Sequence, residues 1–221
     1  MNHERNITPR IKAILFDLDG TLRDTMEIVY TALEKTIEKH TNTEPTRDLI
    51  RQHIHHHSAV HAALSPQVDY NTWLQTYREY LGTDWMDAPF FDHAEGVLQE
   101  LSMAGYRLAV VTAAEYERTI EYLSYRHIDQ YFTVVTGMRD GFRPKPAPDL
   151  MLGAMQQLQV MPEEVIAIGD MITDIQAARA AGIECIGVTH GFATRNELEA
   201  AGADYLIDSF QELLPLISKM K

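Results

Sequence analysis

The sequence predicts an α/β fold, an open parallel sheet covered by helices on both faces and interrupted once by a helical insertion. Three observations predict it. The apolar run Ala13 to Phe16 reads as a buried parallel strand, and it ends in closely spaced carboxylates. From Pro89 onward, strand-like and helix-like segments alternate, the rhythm of successive βα units. Between these regions, from about Asp24 to Asp87, the pattern is helical without a convincing strand.

The elements follow in order. After the first strand, Met26, Val29, Leu33 and Ile37 recur at spacings of three or four, with Asp24 or Thr25 as the N-cap. A second helix is expected over Thr46 to Leu64 and a third over Tyr70 to Leu81, ahead of a turn-rich Gly82 to Pro89. Trp73, Tyr77 and Tyr80, at spacings of four and three, read as core, as do Tyr116 and Tyr122. Next come helix Ala94 to Met103 ending at Gly105, strand Arg107 to Thr112, helix Tyr116 to His127, strand Phe132 to Thr136 and helix Pro148 to Leu158. Strand Val165 to Gly169, helix Ile172 to Ala181 stopped by Gly182, strand Ile183 to Val188, helix Thr194 to Ala201, strand Tyr205 to Ile207 and a final helix complete the chain. The expected organisation is a Rossmann-like, doubly wound core of residues 1–22 and 89–221, with residues 23–88 as the helical insertion.

Composition bounds the function. With 221 residues, 45% of them apolar, the chain can bury a full core. A formal net charge of -13 argues against nucleic acid or an anionic membrane as partner, because a phosphate-rich surface requires basic groups. A small anionic substrate would need local positive charge from a metal or a lysine. The single cysteine, Cys185, precludes an internal disulfide and reads as buried core. No stretch approaches the ~18 apolar residues of a membrane span, and the polar start resembles no signal peptide. These features read as a cytoplasmic protein, monomer or homodimer.

Open α/β sheets bind ligands outside the carboxyl ends of their strands. Polar residues stand at four such ends: Asp17 and Asp19, Thr112, Lys145, and Asp170 with Asp174. Two carboxylates two residues apart at one strand end repel each other, so the site holds a cation, keeps a proton, or does both. Lys145 lies between Pro144 and Pro146, whose restricted φ angles hold the lysine in place. Asp170 or Thr173 could alternatively cap the helix beginning at Ile172.

The segments Asp17-Leu18-Asp19-Gly20-Thr21-Leu22-Arg23-Asp24, Val110-Val111-Thr112, Arg143-Pro144-Lys145-Pro146 and Gly169-Asp170-Met171-Ile172-Thr173-Asp174 resemble, in order, the four motifs of the haloacid dehalogenase superfamily. The resemblance spans nearly the whole chain and fits the helical-cap subgroup, which includes phosphoglycolate phosphatase, pyrophosphatase and β-phosphoglucomutase relatives. It implies that Asp17 is a nucleophile forming an aspartyl-phosphate and that Asp19 is the general acid and base. Dehalogenases of this superfamily lack an acid at the Asp19 position, so phosphate chemistry is implied. Asp170 would hold a magnesium ion together with Asp17 and the main-chain carbonyl of Asp19, with Asp174 acting through water or from behind. Lys145 would stabilise Asp17 and the phosphoryl oxygens, Thr112 would bond a phosphoryl oxygen, and Ala113 and Ala114 would present accessible backbone N–H groups. Gly20 permits close approach or positive φ beside the phosphate.

Two positions depart from the family pattern. Ala113 stands where asparagine is frequent, and Arg23 stands where the capped relatives are apolar; Arg23 reaches either a distal anion of the substrate or a surface partner. In the insertion, His53, His57 and His61 fall at i, i+4 steps beside His55 and His56, a pattern for a transition metal or for a polar helix face. The resemblance implies a magnesium-dependent phosphatase for a small phosphorylated metabolite, phosphoglycolate first. A phosphomutase, a pyrophosphatase and a non-catalytic ligand-binding member are the alternatives.

Overall fold

The computed structural model of the chain describes residues 11–55, 57–139 and 141–220. Among the described residues two compact units emerge, one drawn from 11–22 and 90–220 and the other from 23–89.

The first unit is a parallel six-stranded sheet with flanking helices. Its strands are β1 (Ala13–Phe16), β2 (Arg107–Glu115), β3 (Phe132–Met138), β4 (Val165–Gly169), β5 (Glu184–Val188) and β6 (Tyr205–Ile207), in the order β3-β2-β1-β4-β5-β6. The sheet grows in one direction from β1 to β3 and in the other from β4 to β6, so the reversal lies between β1 and β4. At such a switch point the loops after the two strands diverge and leave a crevice. Phe16 is in register with Val110 on one side and Ile168 on the other. The Asp17 N–H continues the ladder to the Ile168 carbonyl at 2.8 Å, which fixes the height of Asp17 on the strand end.

All four β1 residues are buried, as expected for a strand covered on both faces. The helices of this unit include α5 (Ala94–Met103), α6 (Tyr116–Tyr125), α7 (Asp149–Leu158) and α8 (Ile172–Ala180), and Leu15, Ala109, Ala167 and Cys185 pack with α7 and α8 in the main core cluster. Strands β2 and β3 run past the expected ends at Thr112 and Thr136, because Glu115 pairs with Met138 beyond a register shift. Ala113, Ala114 and Glu115 carry little strand propensity of their own; pairing holds them extended.

The second unit is helical: α1 (Met26–Thr41), α2 (Arg47–Arg51), α3 (His57–Leu64) and α4 (Tyr70–Leu81). Ala32, Leu33, Ile37, Ile50, Val60, Trp73 and Tyr77 form its core. Thr25 is the N-cap of α1 but its side chain makes no capping bond; the Met26 N–H is instead taken by the carboxylate of the preceding Asp24 at 3.2 Å. The helix expected over Thr46 to Leu64 is two helices. Thr46 caps α2, which ends within two turns, and His53 and His55 lie in the following turn. Histidine is a weak helix former, and four of them between 53 and 57 do not sustain the helix. His53, His57 and His61 therefore do not share one continuous helix face, and His56 lies outside the described residues. Tyr80 is also not core: it is 40% exposed in the last turn of α4, with the Lys39 ammonium over its ring. Tyr122 is fully buried, whereas Tyr116 is only half-buried. No helix among the described residues is long and apolar enough to cross a membrane.

Candidate active site

Four side chains from the segments that follow β1, β3 and β4 meet at the carboxyl end of the sheet. Asp17 continues β1, Asp170 follows β4, Asp174 lies in the first turn of α8, and Lys145 comes from the loop after β3. The Lys145 ammonium donates to Asp17 Oδ1 at 2.6 Å and to Asp174 Oδ1 at 2.5 Å. Lys145 is 4% exposed and Asp170 is fully buried. Asp174 uses its second oxygen to accept the Met171 N–H at 2.9 Å, so this residue, not Asp170, serves the start of α8. Asp170 accepts the Thr21 hydroxyl at Oδ1 and the Phe192 N–H at Oδ2, both at 2.8 Å.

Electrostatics follow from this packing. Burial raises the Asp17 carboxyl from its ordinary value to about 7, against the opposing pull of Lys145, and Asp174 and Asp19 add repulsion. Burial likewise lifts Asp170 well above the usual range, reinforced by Asp17 and Asp174 and only partly offset by Phe192 and Thr21. Burial works against the Lys145 ammonium, but Asp17 and Asp174 outweigh it and raise its pKa, so the lysine stays charged. Three buried carboxylates face one ammonium, an excess of negative charge that a proton or a cation must relieve.

The three carboxylates fit a cation. One oxygen from each of Asp17, Asp170 and Asp174 lies within 4.8 Å of the others, and all three residues are buried. An all-oxygen donor set of this kind suits a hard divalent ion. The Asp19 side chain is outside this group. Gly20 and Gly191 wall in Asp170: a Cβ at either position would overlap its carboxylate, and Gly20 adopts φ +84°.

Thr112 is buried at the end of the apolar part of β2, and its oxygen accepts the Ala114 N–H at 3.1 Å. That N–H is therefore not available to a ligand, contrary to expectation, whereas the Thr112 hydroxyl proton remains free to donate from an oxygen that is already accepting. Ala113 is exposed. Arg23 belongs to the helical unit and is buried at 4% exposure, so it is no surface residue. It donates to the Trp85 carbonyl at 3.3 Å and lies 5.5 Å from the centre of the Trp85 ring.

Sequence reasoning missed the loop after β5. His190, Gly191 and Phe192 border Asp170 and the Gly20–Thr21 turn through a backbone N–H, a glycine contact and one ring nitrogen. The only sequence signal was a glycine just past a strand whose carboxyl end lies on the crevice side of the sheet.

Comparisons with known proteins identify the family and the fold. The profile of the family described as haloacid dehalogenase-like hydrolase matches residues 14–188. A PpaX-type protein of Caldanaerobacter subterraneus subsp. tengcongensis is 30% identical over 210 residues, 94% of this chain and 95% of that protein. The pyrophosphatase PpaX of Bacillus mycoides is 27% identical, with 96% of this chain and 99% of that protein covered. Among solved structures, one described as a predicted phosphatase from Clostridium acetobutylicum superposes with a TM-score of 0.82 at 27% identity, over 95% of this chain and 99% of that one. CbbY from Rhodobacter sphaeroides, in complex with xylulose 1,5-bisphosphate, superposes with a TM-score of 0.77 at 27% identity, over 92% and 96%. The family profile takes in the strand ends that carry Asp17, Lys145, Asp170 and Asp174, and the relatives extend across nearly all of the chain: it belongs to the haloacid dehalogenase-like hydrolases and is an enzyme of their phosphatase type.

Proposed function

We propose that this protein is a magnesium-dependent phosphatase that releases inorganic phosphate from a small phosphorylated metabolite by way of an aspartyl-phosphate on Asp17. The observation that carries the reading is the Lys145 ammonium held between Asp17 and Asp174 beside Asp170 at the switch point of the sheet. Phosphoryl transfer asks little of a protein beyond a nucleophile, charge neutralisation and in-line placement.

In the first step a carboxylate oxygen of Asp17 attacks phosphorus, the phosphorus–oxygen bond of the ester breaks, and Asp19 gives its proton to the leaving oxygen. In the second step Asp19 removes a proton from water, the resulting hydroxide attacks phosphorus, and the bond to Asp17 breaks. Lys145 stabilises the charge on Asp17 and on the phosphoryl oxygens, and the Thr112 hydroxyl donates to one of them. Asp17 and Asp170, with Asp174 and the Asp19 carbonyl, would hold the magnesium ion, which when bound neutralises phosphoryl charge. The helical unit of residues 23–89 acts as the cap that excludes water and recognises the leaving portion.

Phosphoglycolate is the favoured substrate. Pyrophosphate is the second reading, favoured by the nearly full-length likeness to a pyrophosphatase PpaX. Phosphate release should be measured from 2-phosphoglycolate, pyrophosphate, nucleoside monophosphates and sugar phosphates, with magnesium and with EDTA, while glucose 1-phosphate is followed for isomer formation. Magnesium-dependent release, greatest from phosphoglycolate, is expected. Pyrophosphate turned over about 100-fold better than every ester would replace the first reading by the second. Isomer formation outpacing release would make the enzyme a mutase, and no release from any compound with magnesium present would overturn the proposal.

A further inference from the structure

The loop after β5 has no part in the chemistry above, yet it grips Asp170 from two directions. Phe192 donates its N–H to Asp170 Oδ2, and the Ala193 N–H donates to the Asp170 main-chain carbonyl at 3.3 Å. Between His190 and Phe192, Gly191 lies so close to the Asp170 side chain that no Cβ fits. His190 acts one step further away. Its Nε2 is 3.0 Å from the Thr21 carbonyl oxygen, and a carbonyl can only accept, so Nε2 carries the hydrogen. Thr21 in turn donates its hydroxyl to Asp170 Oδ1. The His190 ring is itself held, with ring centres at 4.1 Å from Phe91 and 5.4 Å from Phe210. Phe91 donates its N–H to the carbonyl of Leu22, the residue next to Thr21, at 3.1 Å. His190 and Phe91 thus pin two consecutive carbonyls of the turn that carries the Thr21 hydroxyl.

We propose that His190 is a positioning residue for the metal: through the Thr21 carbonyl it sets where the Thr21 hydroxyl meets Asp170, and so the direction in which the Asp170 carboxylate presents its remaining lone pairs. The inference rests on the reading of Asp170 as a magnesium ligand. Groups behind a ligand typically change metal affinity by about 10- to 100-fold when removed. Because Thr21 and Phe192 occupy one lone-pair site on each oxygen of Asp170, a turn that drifts would misdirect the others without removing any ligand.

The test is magnesium binding to the full chain by titration calorimetry, with catalytic measurements beside it. His190→Phe keeps an aromatic ring between Phe91 and Phe210 but lacks the N–H donor; His190→Gln keeps a donor and loses the ring. The expected result is about a 10-fold weaker magnesium Kd for His190→Phe and a Kd within about 3-fold of the parent for His190→Gln. At saturating magnesium, the substrate KM of His190→Phe should match the parent, while the magnesium concentration for half-maximal rate rises about 10-fold. Unchanged magnesium affinity in His190→Phe, with only a lowered Tm, would overturn the inference and leave the proposed function standing. Loss of affinity in His190→Gln as large as in His190→Phe would also overturn it, since packing and not the hydrogen bond would then be responsible. A parent chain that binds no magnesium would overturn the proposed function and this inference together.

Discussion

The two units differ in the buried polar groups they gather: buried charge is concentrated at the end of the sheet, whereas the helical unit buries mainly neutral groups beside Arg23. At the carboxyl end of the sheet, Asp17, Lys145, Asp170 and Asp174 are buried charges, each with a hydrogen-bond or ionic partner. In the helical unit, the hydroxyls of Thr25 and Ser65 and the indole nitrogen of Trp73 are buried without one. The helical unit relies instead on apolar and aromatic packing, with Tyr70 and Tyr77 stacked on either side in sequence of Trp73 at 6.4 and 5.9 Å between ring centres. An unpaired buried hydroxyl or indole N–H costs about 1–3 kcal/mol, a tolerable deficit within a core that gains more from packing. An unpaired buried charge costs far more, so the charges of the sheet have to be arranged as a set. The α/β unit is therefore organised around reactive charge, and the helical unit around shape.

Substitutions can break or sharpen this contrast. The largest effect is expected for Asp17→Asn, which leaves a shape almost unchanged while removing the attacking oxygen; kcat should fall by at least about 10⁴-fold, with circular dichroism and Tm near those of the parent. Normal turnover in that variant would remove Asp17 from the chemistry. Lys145→Ala should follow. It strands buried carboxylates without their cation and should destabilise the metal-free protein by about 3–5 kcal/mol in urea unfolding, a loss that magnesium partly restores. A loss below about 1 kcal/mol would mean that the carboxylates had simply taken up protons.

Acidity supplies the next test. The folded-state value of about 7 for Asp17 lies above its ordinary 3.8. Below both values the folded and unfolded chains carry the proton alike. Between them only the folded chain does, so metal-free stability declines as pH rises from about 4 to about 7 and then levels off. A bound cation takes the place of that proton. The magnesium-induced rise in Tm should accordingly be larger at pH 8 than at pH 5; equal rises would place the ion elsewhere. The smallest effect belongs to the helical unit: in Trp73→Phe the removal of a buried donor that has no acceptor offsets the loss of ring volume, and the unfolding free energy in urea should change by no more than about 1 kcal/mol.

Much of the fold was legible because burial leaves a compositional trace. Strand β4, helix α4 and strand β6 fall at the residues expected, each a short apolar or strongly periodic run with turn residues at its edges. The break between α2 and α3 was not legible, since His53, Ile54 and His55 neither cap nor punctuate a helix, and the spacing of the histidines imitated one face. The extension of β2 through Ala113 to Glu115 was hidden for the opposite reason: it depends on the partner strand, not on its own residues. At the candidate site, Asp17, Lys145, Asp170 and Asp174 could be picked out because titratable side chains at strand ends are conspicuous. The loop holding Asp170 could not, because a backbone N–H from Phe192 and a missing side chain at Gly191 leave no chemical signature in a string of letters.

Gly20 and Gly191 press on the Asp170 carboxylate so tightly that neither wall can gain a single carbon. That restricts how this enzyme can diversify. A lineage cannot add a side chain at either position without displacing that acid. The packing-based helical unit, whose buried hydroxyls already go unpartnered, has more latitude for substitution.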